Sequence, residues 1–208
     1  MKKIMITLTA AAVIFIACNQ ADSNKEAVNE HDKMEHGATK STNVMMDAMD
    51  ASMVDMHHAK MTGNADYDFA SMMIPHHEGA VVMAEAVVKQ GKSLELIAFS
   101  KKVIDVQNQE ITTLKEFLKT ANQQAIKDST EFKSALNASM IPMMKGMEQV
   151  KLTDNIDKDF VALMIPHHQS AVDMAKAYLP FASNAQMKLM AQQIIQAQEN
   201  EIKWLKTQ

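Results

Sequence analysis

Apolar residues recur along most of this chain at helical spacing, and no convincing alternation of the kind a strand requires appears. From about Val44 to Lys60, Met45, Met49, Met53 and Met56 follow one another at steps of four, four and three, which lines them along one helix face. Met46 and His57 border that stripe, and His58 and Met61 follow it. Thr62-Gly63-Asn64 then reads as a stop and a turn. Asp66 is the expected N-cap of a second helix, from roughly Tyr67 to Lys89, which Gly91 closes. Pro75 lies inside that run and predicts a kink, or a break just before His76. A third helix is expected from about Ser93 to Lys119, with Val103, Val106, Leu114 and Phe117 sharing a face with Gln107 and Glu110.

After a polar connection at residues 120–133 the pattern returns, displaced by 91 residues and without a gap. Met73-Ile74-Pro75-His76-His77 becomes Met164-Ile165-Pro166-His167-His168. Met49, Met53 and Met56 correspond to Met140, Met144 and Met147, and Met83 corresponds to Met174. Gln107 and Glu110 correspond to Gln198 and Glu201. The fold class is therefore expected to be all-α: a helical bundle built by tandem duplication of a three-helix unit, with repeat one at about 44–119 and repeat two at about 134–208. Two such units bury their apolar faces against each other, and sites in such bundles form from inward side chains on adjacent helices.

Composition sharpens this. Hydrophobic residues make up 47% and aromatics only 5%, with five Gly and four Pro, which favours helix. Methionine is the outlier at 20 residues. Met is an ordinary filler of irregular cores, but leucine specifies a core better, and here Met keeps company with His.

The first residues carry a different message. Met1-Lys2-Lys3, an apolar run from Ile4 to Ala17 and then Cys18 resemble a secretory signal over residues 1–17, too short for a membrane span. Phe15-Ile16-Ala17-Cys18 resembles a bacterial lipoprotein signal, in which Cys18 is acylated. Residues 18–43, polar and with His31, Met34 and His36, then form a flexible tether, and the folded body occupies 44–208. These features predict an exported, periplasmic or cell-envelope lipoprotein that meets the membrane through its lipid alone. Loss of Lys2 and Lys3 with the signal moves the net charge from −4 to −6, and the chain has no Arg, so nothing offers nucleic acid a basic footprint. A single cysteine excludes an internal disulfide framework. In an oxidising compartment thiolates are lost to disulfides, whereas thioethers are not.

The duplicated Met and His residues point to metal. Thioether sulfur is soft and suits Cu(I), and imidazole suits either oxidation state of copper. Structural zinc prefers Cys with His, and calcium prefers oxygen. Candidate ligands are Met73, His76, His77 and Met83 with Met164, His167, His168 and Met174. Met45, Met49, Met53, Met56, His57 and His58, with Met140, Met144 and Met147, are further candidates. Gln107, Glu110, Gln198 and Glu201 fall on the apolar stripes of their helices, where they can orient the imidazoles from behind, ligate metal or pair with lysine. A di-iron centre of the ferritin kind needs Glu-x-x-His pairs, which neither histidine helix has. No nucleophile–base arrangement or phosphate loop marks an enzyme.

Met-Ile-Pro-His-His with the following Ala-Val-x-Met-Ala, the preceding Asp-x-Asp-Phe and the later Gln-x-x-Glu-Ile resemble the bacterial family known as domain of unknown function 305, over about residues 44–208. The resemblance implies a ferritin-like helical bundle, commonly exported, with CopM-like members that bind copper or silver through Met and His and support metal tolerance. It carries ligation onto Met73, His76, His77 and Met83, and onto Met164, His167, His168 and Met174. The expected function is to bind copper, chiefly Cu(I) and also Cu(II) or Ag(I), for buffering, sequestration or transfer to a protein that accepts the ion. The alternatives are a redox-metal oxidoreductase of ferritin-like fold and a helical interaction domain without metal.

Overall fold

Asparagine side chains start most of the helices. Asn43, Asn64, Asn155 and Asn184 each turn a side-chain oxygen onto first-turn amides, and Ser93 does the same for Leu96. The resulting elements are α1 (Val44–His57), α2 (Ala65–Gln90), α3 (Leu94–Thr120), α4 (Ser129–Glu148), α5 (Ile156–Tyr178) and α6 (Ala185–Leu205). One 3-10 turn, Leu179–Phe181, links α5 towards α6. The structure, a computed structural model, describes residues 43–208, and this part is all-α, with no strand among the described residues. The expected signal at 1–17, acylated Cys18, and His31, Met34 and His36 of the tether lie outside the described residues.

Of the kink or break expected at Pro75 the break does not occur, and the expected N-cap of α2 needs correction. The helix runs unbroken through Pro75, as α5 runs through Pro166. An interior proline costs about 3 kcal/mol, and packing of α2 against α1, α3 and α5 outweighs that. The N-cap is Asn64, two residues before the expected Asp66. Asp66 is spent elsewhere. It accepts hydrogen bonds from Tyr178 Oη at 2.5 Å, from Ser183 N and Asn184 N at 3.1 and 3.0 Å, and from Ser183 Oγ. Asp157, 91 positions later, accepts from Lys92 N and Ser93 N at 2.9 and 3.0 Å. Each aspartate thus ties the start of one central helix to the turn that precedes α6 or α3.

These ties fix the direction of the two central helices. The start of α2 meets the end of α5, where Phe69 stacks on Tyr178 at 4.2 Å, and the start of α5 meets the end of α2. α2 and α5 are therefore antiparallel and cross near their middles. Small residues permit the close approach: Ala70, Ala80, Ala84, Ala171 and Ala175 are all fully buried. α1 and α3 pack on α2, and α4 and α6 pack on α5.

The two turns into α2 and α5 are built alike. Thr62 N and Oγ1 donate to Asp68 at 2.7 and 2.9 Å, and Thr153 N and Oγ1 both donate to Asp159 at 2.8 Å. Gly63 and Asp154 hold the matching left-handed backbone, at φ 82° and 59°. Asp is among the residues that tolerate that region.

Two smaller departures concern the flanking helices. α4 begins at Ser129, inside the stretch expected to be a connection, because Phe132 and Leu136 one turn apart bury themselves fully. Val106 is 45% exposed and does not join the buried face of α3.

Candidate metal centre

The two helices cross at their histidines. His76, His77, His167 and His168 are all essentially buried. The rings of His76 and His167 stack face to face, with centroids 3.9 Å apart and planes 10° apart. Neighbouring rings in each pair point apart, as a step of about 100° per helical residue requires. His76 and His77 have centroids 6.1 Å apart, and His167 and His168 6.5 Å.

Every Nε2 faces a polar atom. His167 Nε2 donates to the main-chain oxygen of His76 at 3.0 Å, and His76 Nε2 lies 3.0 Å from Ser170 Oγ. His77 Nε2 lies 2.8 Å from Glu110 Oε2, and His168 Nε2 lies 3.0 Å from Glu201 Oε2. The two carboxylate contacts are short, but they sit off the line of a good hydrogen bond. Every Nδ1 is buried without a partner, and the Nε2 atoms of His77 and His168 make no well-aligned hydrogen bond either.

A carbonyl oxygen only accepts, so His167 carries its hydrogen on Nε2 and, while neutral, presents a bare lone pair at Nδ1. Burial holds His76 well below the ordinary imidazole range, helped by the proximity of His167, His77 and His168. Burial likewise pulls His167 down to about 3, with His168 adding to it and the bond to His76 opposing it. Both rings are neutral at pH 7, the form that ligates metal.

The thioethers divide in a way spacing along the chain does not foretell. Met73 and Met174 pack in one apolar cluster, with Met56, Phe69, Leu114 and Tyr178. Met83 and Met164 pack in another, with Met45, Met49, Phe160 and Val103. Each cluster joins one methionine of each repeat, and the histidines lie between the two clusters along α2 and α5. Met73 and Met83 of one repeat are thus separated, while Met73 gains Met174. All four are fully buried.

The further candidates scatter. Met45, Met49 and Met56 are buried, and Met53 is half-buried. In α4 the buried methionine is Met143, with Met140, Met144 and Met147 half-buried. His57 and His58 are exposed at the end of α1, with ring centroids 5.7 Å apart. Met187 and Met190 of α6, not singled out from the sequence, line the Met73–Met174 cluster. Their spacing of three on an amphipathic helix was the available signal. Ser170 was also missed, because it stands where the first repeat has Gly79.

Gln107 and Gln198 are 3% exposed, and each has an Oε1 without a partner. Among the described residues no three His, Cys, Asp or Glu side chains come close enough together to hold one ion.

The family model described as domain of unknown function (DUF305) matches residues 15–118 and, again, residues 66–208. The chain belongs to the DUF305 family. No curated protein matches it. Solved structures of CopM do. The Ag-bound form obtained by soaking is 30% identical, with a TM-score of 0.52, over 68% of this chain and 92% of CopM. The Cu(II)-bound form is 29% identical with a TM-score of 0.52, over 68% of this chain and 94% of that one. The Cu(I)-bound form has the same identity of 29% and TM-score of 0.52, over 68% of this chain and 93% of that one.

Proposed function

We propose that this DUF305 protein is a lipid-anchored envelope protein that binds copper, Cu(I) in preference, through its duplicated Met/His centre, to buffer, sequester or hand over the ion. One observation carries the reading. Four buried imidazoles each have Nε2 turned to a polar atom and Nδ1 left bare. A ring oriented by a carboxylate or carbonyl on one nitrogen is the usual state of a metal-ligating histidine. Leaving four buried ring nitrogens unpaired otherwise costs about 1–3 kcal/mol each.

Since no three His, Cys, Asp or Glu side chains come together to hold an ion among the described residues, an ion here draws on sulfur as well. Met73 with Met174, and Met83 with Met164, supply it on either side of the rings. Sulfur with imidazole favours Cu(I) and Ag(I). CopM, solved with silver and with both oxidation states of copper, lends the same direction. Glu110 and Glu201 orient His77 and His168 in this scheme. In the same reading the body is a ferritin-like bundle that arose by tandem duplication. The mirrored ties of Asp66 and Asp157, and of Asp68 and Asp159, support that origin.

The test is anaerobic titration of the protein with Cu(I), Ag(I), Cu(II), Zn(II) and Fe(II), beside a variant with His76, His77, His167 and His168 all changed to Ala. Tight Cu(I) and Ag(I) uptake that the variant loses is expected. Preference for Zn(II) or Fe(II), or full Cu(I) and Ag(I) uptake by the variant, overturns the reading.

A further inference from the structure

The two stacked histidine rings are held by different partners. His167 Nε2 donates to the main-chain oxygen of His76 at 3.0 Å, whereas His76 Nε2 faces a hydroxyl, Ser170 Oγ, also at 3.0 Å. A carbonyl only accepts, so it keeps the His167 hydrogen on Nε2, while a hydroxyl can donate or accept. The difference comes from one position of the repeat. Ser170 stands three residues beyond His167, and three residues beyond His76 stands Gly79. A side chain there is barred, because a Cβ on Gly79 would meet the Ser52 Cβ at 2.6 Å.

The surroundings decide which way Ser170 turns. It is 1% exposed, and its hydroxyl has no partner but His76 Nε2 among the described residues. If the ring donated, the serine hydrogen would be stranded in the core, and so would the lone pair of the partnerless Nδ1. If the serine donates, its hydrogen is satisfied and the ring carries its own on Nδ1, which leaves one stranded donor. Each stranded group costs about 1–3 kcal/mol, so the second arrangement wins. The stacked rings then stand in opposite tautomers. His167 has a free lone pair at Nδ1, and His76 has none. Nor can the two share one ion. A ring nitrogen ligates in its own plane at about 2 Å, and near-parallel planes with centroids 3.9 Å apart put that ion out of the other ring's reach.

We propose that Ser170 is a positioning residue that latches His76 in the tautomer without a free lone pair, so that an ion binds first at His167. Ligation at His76 by either nitrogen breaks the serine bond. Nδ1 must first pass its hydrogen to Nε2, and Nε2 must first be released by the hydroxyl. The proposal rests on the copper reading above and ranks the two halves of that centre.

The experiment follows the full chain, isotopically labelled at its histidine nitrogens, by magnetic resonance, first without metal and then during titration with Ag(I) alone. Metal-free wild type is expected to carry hydrogen on Nε2 of His167 and on Nδ1 of His76. Ser170→Ala should abolish the His76 preference. It should also tighten Ag(I) at His76 about twofold to tenfold, the worth of one hydrogen bond, and leave His167 as it was. A merely structural serine would weaken binding when removed. Ser170→Thr, which keeps the hydroxyl, should retain the wild-type tautomers and order of filling. Hydrogen on Nε2 of His76 in wild type overturns the latch, even if neither variant folds. So does Ag(I) affinity at His76 that Ser170→Ala leaves unchanged or lowers. No Ag(I) uptake by wild type overturns the copper reading, and the tautomers, read without metal, tell the two failures apart.

Discussion

Lowering the pH from 7.5 to 4.5 should unfold this protein through His76 and His167. Both rings are 1% exposed. His76 is held well below the ordinary 6.5 by burial and its neighbouring imidazoles. His167 is pulled from 6.5 to about 3 by burial first and by His168 next. Above about pH 6.5 neither the folded nor the unfolded chain protonates these rings, and their contribution to stability is complete. Below it the unfolded chain takes up protons that the folded chain refuses. The unfolded state then binds more protons, so stability falls as pH falls, until the folded His167 itself titrates near 3.

Each such histidine costs about 1.4 kcal/mol per pH unit within the window. Over two units His167 alone costs about 3 kcal/mol, and His76 adds to this in the same direction, against a whole stability of about 5–15 kcal/mol for a typical domain. Asp66 acts in the same direction at lower pH. Burial raises its carboxyl, but the bonds from Ser183, Tyr178 and Asn184 outweigh that and hold it below 3.8. Its contribution is present above that value and is lost as pH falls through the lowered one. The assay is urea unfolding followed by circular dichroism at half-unit steps of pH, on wild type and on His76→Gln/His167→Gln. The wild-type slope should exceed the variant's by about 1–3 kcal/mol per unit between pH 6 and 4.5. Equal slopes would refute the reasoning.

Replacing Asp66 by Ala strips partners from Tyr178 Oη and from the Ser183 and Asn184 amides; thermal unfolding should register a loss of about 3–5 kcal/mol. A Cβ at Gly79 would sit 2.6 Å from the Ser52 Cβ. Gly79→Ala should therefore cost about 1–3 kcal/mol, and adding Ser52→Gly should restore most of it in the same denaturation assay. Met73→Leu/Met174→Leu nearly conserves volume, so stability should change by less than about 1.5 kcal/mol per site. Silver uptake by dialysis should nevertheless drop, and unchanged uptake would show these sulfurs to be packing alone.

Local interactions explain what could be read along the chain. Helices starting near Val44, Tyr67 and Ser93 follow from period and caps, because both depend on residues three or four apart. The all-α class and the DUF305 family were legible in the same way, from spacing and from the repeated Met-Ile-Pro-His-His. The misreadings share a cause. Asp66 looks like a cap because aspartate often is one, yet its partners lie more than 110 positions away. Pro75 looks like a breaker because the strength of packing around it is not a local property.

The one-dimensional pattern determined which residues share a face: Met73 with His76 and His77, and Gln107 with Glu110. Only the antiparallel crossing of α2 on α5 decided who meets across faces. It stacked His76 on His167, grouped Met73 with Met174 and Met83 with Met164, and set the Gln107–Glu110 pair across a narrow crevice between α3 and α6 from its counterpart. Side-chain period is written in the order of residues, whereas the partner of a face depends on how whole helices bury their surfaces against one another.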